Sequence, residues 1–362
     1  MRICLIGKNL ANLVLANVLA KKKINVDIVY DFEDKKKNTT RTLGISKSNF
    51  NYLNNIKNNS ILIAWPIEKI KIFYENSNPK ELFEFINEEK KIFFLVKYNQ
   101  IYNYFEKLLK KSKKIKFLKL KKITQNYFIN NHKYNLIINS DTNNEISKNF
   151  LFNKIDKSYD SFAYTGLINH KKKVNNIASQ VFTKFGPLAF LPLSPTTTSI
   201  VFSLYNKNIK DKEQLIKLIN KFNLNYEIKS FGKFEKFNLK FSMLRNYHYK
   251  NILFFGDLLH RIHPLAGQGF NMTIRDIQIL SSLIDKKIKL GLELDISIIN
   301  DFQKKTKHKN YIFGSGIDFI NSFFEIDSKI NNLFSKSIFK VLKKNKFLNR
   351  YATLFADKGL NI

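Results

Sequence analysis

A short apolar strand, Asn251–Phe255, runs straight into Gly256-Asp257, then a loop holding Pro264 and two glycines, then a helix that begins near Phe270 and continues through Ile274, Ile277 and Leu280. No other stretch restricts the fold as tightly. A glycine directly after a strand lets a ligand approach the backbone closely. Asp257, at the strand's carboxyl end, is placed to accept hydrogen bonds from ligand hydroxyls. Gly267-Gln268-Gly269 at a helix start presents bare backbone N–H groups, which with the helix dipole favour negative charge. A ligand-free turn accounts for Gly-Asp alone, but not for the whole ordered string.

Residues 1–30 read as strand, turn, helix, strand: Arg2–Ile6, then Leu10–Leu19 with apolar residues at helical spacing, then Asn25–Tyr30 with Val26, Ile28 and Val29. A unit of this length implies parallel strands and a right-handed crossover. Its first loop is where dinucleotides bind. That loop is Gly7-Lys8-Asn9-Leu10-Ala11-Asn12, with one glycine where G-x-G-x-x-G has three.

The remaining chain alternates in kind. Residues 41–65 read as a helix and a short loop to Trp65-Pro66, and residues 66–95 as strands of a second sheet. Gln100–Lys111 reads as a helix and Tyr134–Ile138 as a buried strand ending at Asn139-Ser140-Asp141. Ser161–Tyr205 is strand-rich. Phe185-Gly186-Pro187 reads as a turn, and Leu188–Leu193 pairs with Ser199–Leu204 around Ser194-Pro195. Leu215–Phe222 reads as a helix, and the chain is helical after about residue 300. There are no internal repeats.

At 362 residues the chain is too long for one compact core and implies two domains with a helical tail. Its 44% hydrophobic content is ample for burial, which excludes a disordered polypeptide. A net charge of +33 attracts nucleic acid or anionic membranes. However, the abundance of Lys, Asn, Ile, Phe and Tyr suits an AT-rich genome, and short runs such as Lys21–Lys23, Lys35–Lys37 and Lys171–Lys173 read as solvated faces. No helix-turn-helix, zinc-finger or ribonucleoprotein motif is present, so no nucleic-acid partner is expected. The single cysteine, Cys4, sits in an apolar run and reads as a buried, unreactive thiol in a reducing compartment. The N-terminal apolar run is too short for a signal peptide, and no stretch of about 18 apolar residues offers a membrane span. A cytoplasmic protein is expected, with any membrane contact peripheral, on the inner membrane.

The string Gly256-Asp257, His260, His263-Pro264, Ala266-Gly267-Gln268-Gly269, Asn271 and Arg275-Asp276 resembles the second FAD fingerprint of the p-hydroxybenzoate hydroxylase type of flavin monooxygenases, most closely the ubiquinone-biosynthesis hydroxylases. Arg41-Thr42-Leu43-Gly44-Ile45-Ser46 is similar to the family's Arg-containing segment. Asn99-Gln100 stands where the family sets an Arg or Gln against the cofactor. Gly186-Pro187-Leu188-Ala189-Phe190-Leu191-Pro192 resembles its substrate-domain strand. The resemblance runs from Ile3 to about Leu354.

The resemblance implies an α/β chain with an α+β second domain. A discontinuous Rossmann-like FAD-binding domain (1–65, 96–158, 245–300) carries an inserted mixed β-sheet substrate domain (66–95, 159–244) and a C-terminal helical region (301–362). It assigns FAD contacts to Gly7, Asn9, Ala11, Asn12, Asp31, Arg41, Gln100, Asp141, Gly256, Asp257, Pro264, Gly267, Gln268, Gly269, Asn271 and Met272. It sets His263 and Pro264 at the flavin edge, with no nucleophile and no metal, and His260 braces the loop.

The departures are local. Asn9 and Asn12 replace the second and third glycines, which serve pyrophosphate approach and helix packing. Asn9 is expected to keep the turn, because Asn tolerates a left-handed backbone, while its side chain takes space beside the phosphates. Asn12 is expected to push the helix outward, and Lys8 to offset the loss with its charge. Of the family's middle Asp-Gly only Asp141 stands, followed by Thr142.

The chemistry implied is hydroxylation of a polyprenylated phenol or quinol precursor of ubiquinone: NAD(P)H reduces FAD, O2 adds, and the flavin hydroperoxide transfers oxygen to the ring. A membrane-borne substrate suits a basic amphipathic stretch, Phe334–Leu348, with Phe334, Ile338, Val341 and Leu342 on one face. The competing expectation is a flavin-poor, non-catalytic relative that binds lipid or acts as a scaffold subunit of a quinone-biosynthesis assembly.

Overall fold

The computed structural model describes residues 1–31, 40–56, 63–75, 83–86, 91–124, 128, 133–150, 153–205, 209, 211–264, 267–329, 334, 338 and 346–360. The first half runs β1 (Arg2–Ile6), α1 (Leu10–Lys21), β2 (Asn25–Asp31), β3 (Thr42–Ser46), α2 (Lys47–Asn55), β4 (Trp65–Ile67), β5 (Lys69–Tyr74), β6 (Phe83–Ile86), β7 (Phe93–Lys97), α3 (Tyr98–Lys110), β8 (Ile115–Leu120), β9 (Leu136–Asn139) and α4 (Glu145–Phe150). Then follow β10 (Lys154–His170), β11 (Ile177–Thr183), β12 (Gly186–Pro192), β13 (Thr197–Leu204), α5 (Lys212–Lys221), β14 (Ile228–Phe231) and β15 (Glu235–Leu244). The last part holds β16 (His248–Tyr249), β17 (Ile252–Phe254), β18 (His260–Arg261), α6 (Gln268–Lys289), α7 (Ile296–Lys329) and α8 (Lys346–Lys358).

The N-terminal unit forms as its apolar spacing dictates. β1 pairs parallel with β2 and with β9, Leu5 standing opposite Ile28 on one side and Ile138 on the other. A six-stranded sheet results, in the order β16-β17-β9-β1-β2-β8, in which only β16 runs antiparallel. α1 is apolar around most of its girth, with Leu13, Val14, Leu15, Ala16 and Leu19 fully buried between the sheet, α3 and α6. Cys4 is sealed in this core, where burial pushes its thiol pKa well up, as expected of an inert thiol.

A second, mixed sheet runs β18-β15-β10-β13-β12-β11-β5-β6, with β14 against β10. It is antiparallel except where β11 meets β5. Its two faces differ in kind. Leu188, Phe190, Ile200 and Phe202 point to one side and pack under Leu215 and Ile219 of α5 and Phe222 at its C-cap. Alternate residues of the same strands, Ala189, Leu191, Val201 and Ser203, point to the other side. The architecture is therefore mixed α/β: a Rossmann-like region, an inserted β-sheet domain and C-terminal helices.

Two local expectations are corrected. Residues 42–46 begin as a strand rather than a helix, because Leu43 and Ile45 alternate into the core. β3 pairs with β7, which pairs in turn with β4, so Trp65–Ile67 and Phe93–Lys97 belong to a separate three-stranded sheet and not to the large one. The turn before β12 is Lys184-Phe185; Gly186 and Pro187 already belong to the strand. None of the described helices is long and apolar enough to cross a membrane. Within Phe334–Leu348, residues 335–337 and 339–345, including Val341, Leu342 and four lysines, lie outside the described residues, as do Lys35–Lys37, Leu265 and Ala266.

Candidate functional site

A cavity of about 440 Å3 opens where the carboxyl ends of β1 and β9 meet the open face of the second sheet. Its volume lies within the range of cofactor and small-molecule sites. Among the predicted residues, Gly7, Asn9, Ala11, Arg41, Asp141, Asp257, His263, Pro264, Gly267 and Gly269 line it. Asn12, Asp31, Gln100, Gly256, Gln268, Asn271 and Met272 do not.

One end of the cavity is the β1–α1 loop. Gly7 has φ +101°, and a Cβ there would lie 2.8 Å from Asp141 Cβ, so only glycine lets β1 and β9 end this close together. Asn9 is not left-handed as expected. Its backbone is extended (φ −119°, ψ 172°), and it caps α1 by accepting from the Asn12 N–H at 3.2 Å. Asn12 does not push the helix outward. It is fully buried and donates to the carbonyls of Ile6 and Gly7, each at 2.8 Å, stitching α1 to the end of β1. Lys8 also lines the cavity; its ammonium pairs with Glu106 at 2.7 Å and lies 5.1 Å from the Tyr30 ring centroid.

Asp141 accepts from the Asn143 N–H at 2.9 Å in a turn that replaces the family's Asp-Gly. Burial raises its pKa, and the nearby Asp31 carboxylate, at the end of β2, adds to the rise. Arg41 is exposed at the cavity, 5.9 Å from the Tyr98 ring centroid, while its carbonyl accepts from the Tyr98 N–H. Gln100, on α3, is exposed to solvent away from the cavity.

The opposite end is the α6 N-terminus. Gly267 is the N-cap in the left-handed region (φ +63°) and, being glycine, makes no side-chain capping bond to the first-turn N–H groups. Gly267, Gly269 and Phe270 face the cavity. The other fingerprint residues turn inward as braces. Asn271 donates to the Gly44 carbonyl at 2.9 Å and accepts from the Ser46 N–H at 2.9 Å, so it fixes β3 to α6. Gln268 donates to Ala356 O at 3.1 Å, tying α6 to α8. Met272 packs among Phe182, Phe313 and Phe324. Gly256 lets its loop close on α1: a Cβ there would lie 3.1 Å from Ala11 Cβ.

Two histidines mark the join with the second sheet. His260 Nε2 bonds Asp276 Oδ2 at 2.7 Å, as a brace does, while His260 Nδ1 is buried without a partner among the described residues. His263 is sealed, and burial drives its pKa down to about 3. It is therefore neutral at physiological pH and offers one N–H and one lone pair rather than a positive charge. The Tyr159 ring meets it edge-on at 5.5 Å. Tyr159 donates to Asp318 at 2.5 Å, which ties the loop to α7.

Sequence reasoning missed Tyr98, Ser140 and Tyr159 because each acts across a long chain separation on a residue that it did find. It also missed the cavity wall formed by Ala163, Thr165, Ala178, Val201 and Ser203. Strand alternation carried that signal, but the choice of face depends on where α5 packs.

These features fit FAD. An uncapped helix N-terminus and a glycine loop open on one cavity, Asp257 stands exposed between them, and a wall of small and apolar side chains lies beyond. Residues 206–289 match the FAD binding domain family. The chain is 25% identical over 197 residues to the ubiquinone biosynthesis monooxygenase COQ6 of Caenorhabditis elegans, a match covering 42% of this chain and 44% of that protein. It is 29% identical over 148 residues to the 3-demethoxyubiquinol 3-hydroxylase of Escherichia coli (strain K12), covering 38% and 37%. These matches thus span under half the length of the relatives. In overall fold the chain is similar to p-nitrophenol 4-monooxygenase PnpA from Pseudomonas putida DLL-E4, with a TM-score of 0.80 at 11% identity over 97% of this chain and 96% of that one. Klebsiella pneumoniae HpxO, solved with FAD and uric acid, gives 0.75 at 10% identity over 99% and 97%. The chain thus carries the fold of the FAD-binding, p-hydroxybenzoate hydroxylase-like superfamily and is related, at low identity, to the COQ6-type hydroxylases.

Proposed function

We propose that this protein is an FAD-dependent monooxygenase that hydroxylates a polyprenylated phenol or quinol in ubiquinone biosynthesis, with NAD(P)H as reductant. One observation carries the reading: a single cavity joins an uncapped helix N-terminus and a glycine loop to a sheet face lined with small and apolar side chains. The partial matches to quinone-pathway hydroxylases support the substrate class.

When bound, FAD supplies the redox chemistry with O2 and the reductant. The protein's own residues bind and orient. The backbone N–H groups of Gln268 and Gly269 favour the negative charge of a reduced flavin, while the Gly267 N–H donates to the Pro264 carbonyl and shapes the loop; Asp257 accepts from ribityl hydroxyls, and Gly7, Asn9, Ala11 and Asn12 line or shape the pyrophosphate end. Arg41 and Asp141, which line the cavity, serve the cofactor's remaining polar edges, with the Asp31 carboxylate near Asp141, whereas Gln100 faces away from the cavity and takes no part. Gly256, Asn271 and Met272 act by fixing the loops that carry these groups. His263-Pro264 stands at the flavin edge. Phe93, Leu95, Leu191, Phe237 and Leu239 hold the substrate ring and exclude water.

The protein works as a peripheral partner of the membrane. On α7, Ile312, Phe319 and Ile326 recur seven apart and are each more than half exposed, beside the exposed Lys304, Lys305 and Lys307. An apolar stripe with basic neighbours suits an anionic bilayer.

The test is a visible spectrum of desalted protein with and without added FAD, then incubation with NAD(P)H, 18O2 and a prenylated phenol. A product heavier by one 18O atom is expected. Flavin binding without any oxygenated product would defeat the hydroxylase reading, and no flavin binding would favour the scaffold alternative.

A further inference from the structure

The two helix ends that open on the cavity are finished differently. At α6, the N-cap residue is Gly267, which has no side chain to bond the first-turn N–H groups. At α1, the chain supplies its own occupant. Asn9 Oδ1 accepts from the Asn12 N–H at 3.2 Å, and Nδ2 of the same side chain donates to Ser140 O at 2.9 Å and to Ser140 Oγ at 2.8 Å. The amide therefore bridges the start of α1 and the end of β9. It also overhangs the glycine turn: a Cβ on Gly7 would lie 3.3 Å from Asn9 Nδ2. Asn9, Gly7 and Ser140 all line the cavity, so the bridge lies on its wall and not in the core behind it.

A glycine at this position of a dinucleotide loop exists so that a pyrophosphate can approach the backbone. An anion at a helix N-terminus is held by the first-turn N–H groups that intrahelical bonds leave unpaired. Asn9 consumes one of those donors and fills the approach. Asn12 reinforces this from below, because its bonds to the carbonyls of Ile6 and Gly7 are made by the protein's own groups and hold the turn against α1.

We infer that Asn9 is a built-in competitor for the FAD pyrophosphate: it pre-closes the phosphate loop, so that the protein folds stably without flavin and takes FAD as an exchangeable group, with the affinity set at this residue. The inference rests on the reading that the cavity holds FAD.

The experiment titrates FAD into the full-length protein and its variants and follows FAD fluorescence anisotropy, with thermal unfolding of the flavin-free forms in parallel. Asn9→Gly keeps a residue that helix N-termini accept but removes the amide. It is expected to bind FAD about tenfold more tightly, to melt at a lower temperature without flavin, and to gain more melting temperature from added FAD than the wild type. Asn9→Ser retains an oxygen for the Asn12 N–H but is too short to bridge to Ser140, and is expected to fall between the two. If Asn9→Gly does not fold, Asn9→Ser decides. FAD affinity equal to or weaker than wild type in a folded variant would overturn the inference alone, while no FAD binding by any form would overturn it together with the FAD reading.

Discussion

His260 Nε2 lies 2.7 Å from Asp276 Oδ2, both side chains are sealed from solvent, and Asn310 Nδ2 closes on the other carboxylate oxygen at 3.0 Å. This chain joins the cavity loop, α6 and α7. Deleting one member leaves a buried polar group without its partner, which costs more than the bond itself contributes. Asp276→Ala is expected to lower unfolding stability by about 3 kcal/mol and Asn310→Ala by about 1 kcal/mol. Urea denaturation of both variants checks the ranking.

His263 gives the protein an acid sensitivity of definite sign. Its pKa is about 3 in the folded protein against an ordinary 6.5. Above pH 6.5 both states are neutral and the residue contributes no pH dependence. Below it, the unfolded chain takes up a proton that the folded site refuses, so stability falls as pH drops from 6.5 towards 3. The loss is up to about 1.4 kcal/mol per pH unit. Denaturation of wild type and His263→Gln at pH 7, 6 and 5 is expected to show a steeper decline in the wild type; parallel curves would refute the assignment.

Asn271 and Asp357 fasten the β3–α2 segment from two sides, and Asp357 thereby seats the C-terminal helix. Asn271 holds β3 to α6, and the Asp357 carboxylate accepts from both the Ser48 N–H and Ser48 Oγ at 2.9 Å. Asn271→Ala is expected to cost about 2 kcal/mol. Asp357→Ala is expected to loosen α8 first, so limited proteolysis should cut near residues 346–360 in the variant before it cuts the wild type.

At the cavity's phosphate end, Gly7→Ala meets two obstacles: a φ of +101° and Asp141 Cβ at 2.8 Å. A cost of about 2 kcal/mol is expected. Because the displaced turn is part of the proposed cofactor wall, FAD binding should weaken as well. Titration of a refolded, monodisperse variant that binds FAD like the wild type would argue against that placement.

Much of the frame was legible because it is written in local periods. The β1–α1–β2 unit and the strand into Gly256 follow from apolar spacing and were located within a residue or two. The glycine-containing string around Gly267 pointed to a loop that opens on the cavity, but not to what each residue does there. Gln268, Asn271 and Asp276 turn away from the cavity and bond to residues far along the chain, and a linear reading cannot distinguish a ligand contact from a brace that holds one. The two asparagines of the first loop were misjudged for a related reason. Their effect was argued from bulk and backbone tolerance, whereas hydrogen bonds to Ser140, Ile6 and Gly7 decide their conformation. β3 was missed because residues 41–46 alternate for too few positions to outweigh the helix that follows.

The two-faced β12 separates what the molecule admits from what keeps it folded. Phe190 is anchored beneath α5, while its neighbours Ala189 and Leu191 look into the cavity. A change of one methyl group at Ala189, or at Ala163 or Ala178 on neighbouring strands, alters the room available to a guest without disturbing the packing behind the sheet. Guest preference in this scaffold can therefore drift one side chain at a time, with the alternation of the strand shielding the core from the experiment.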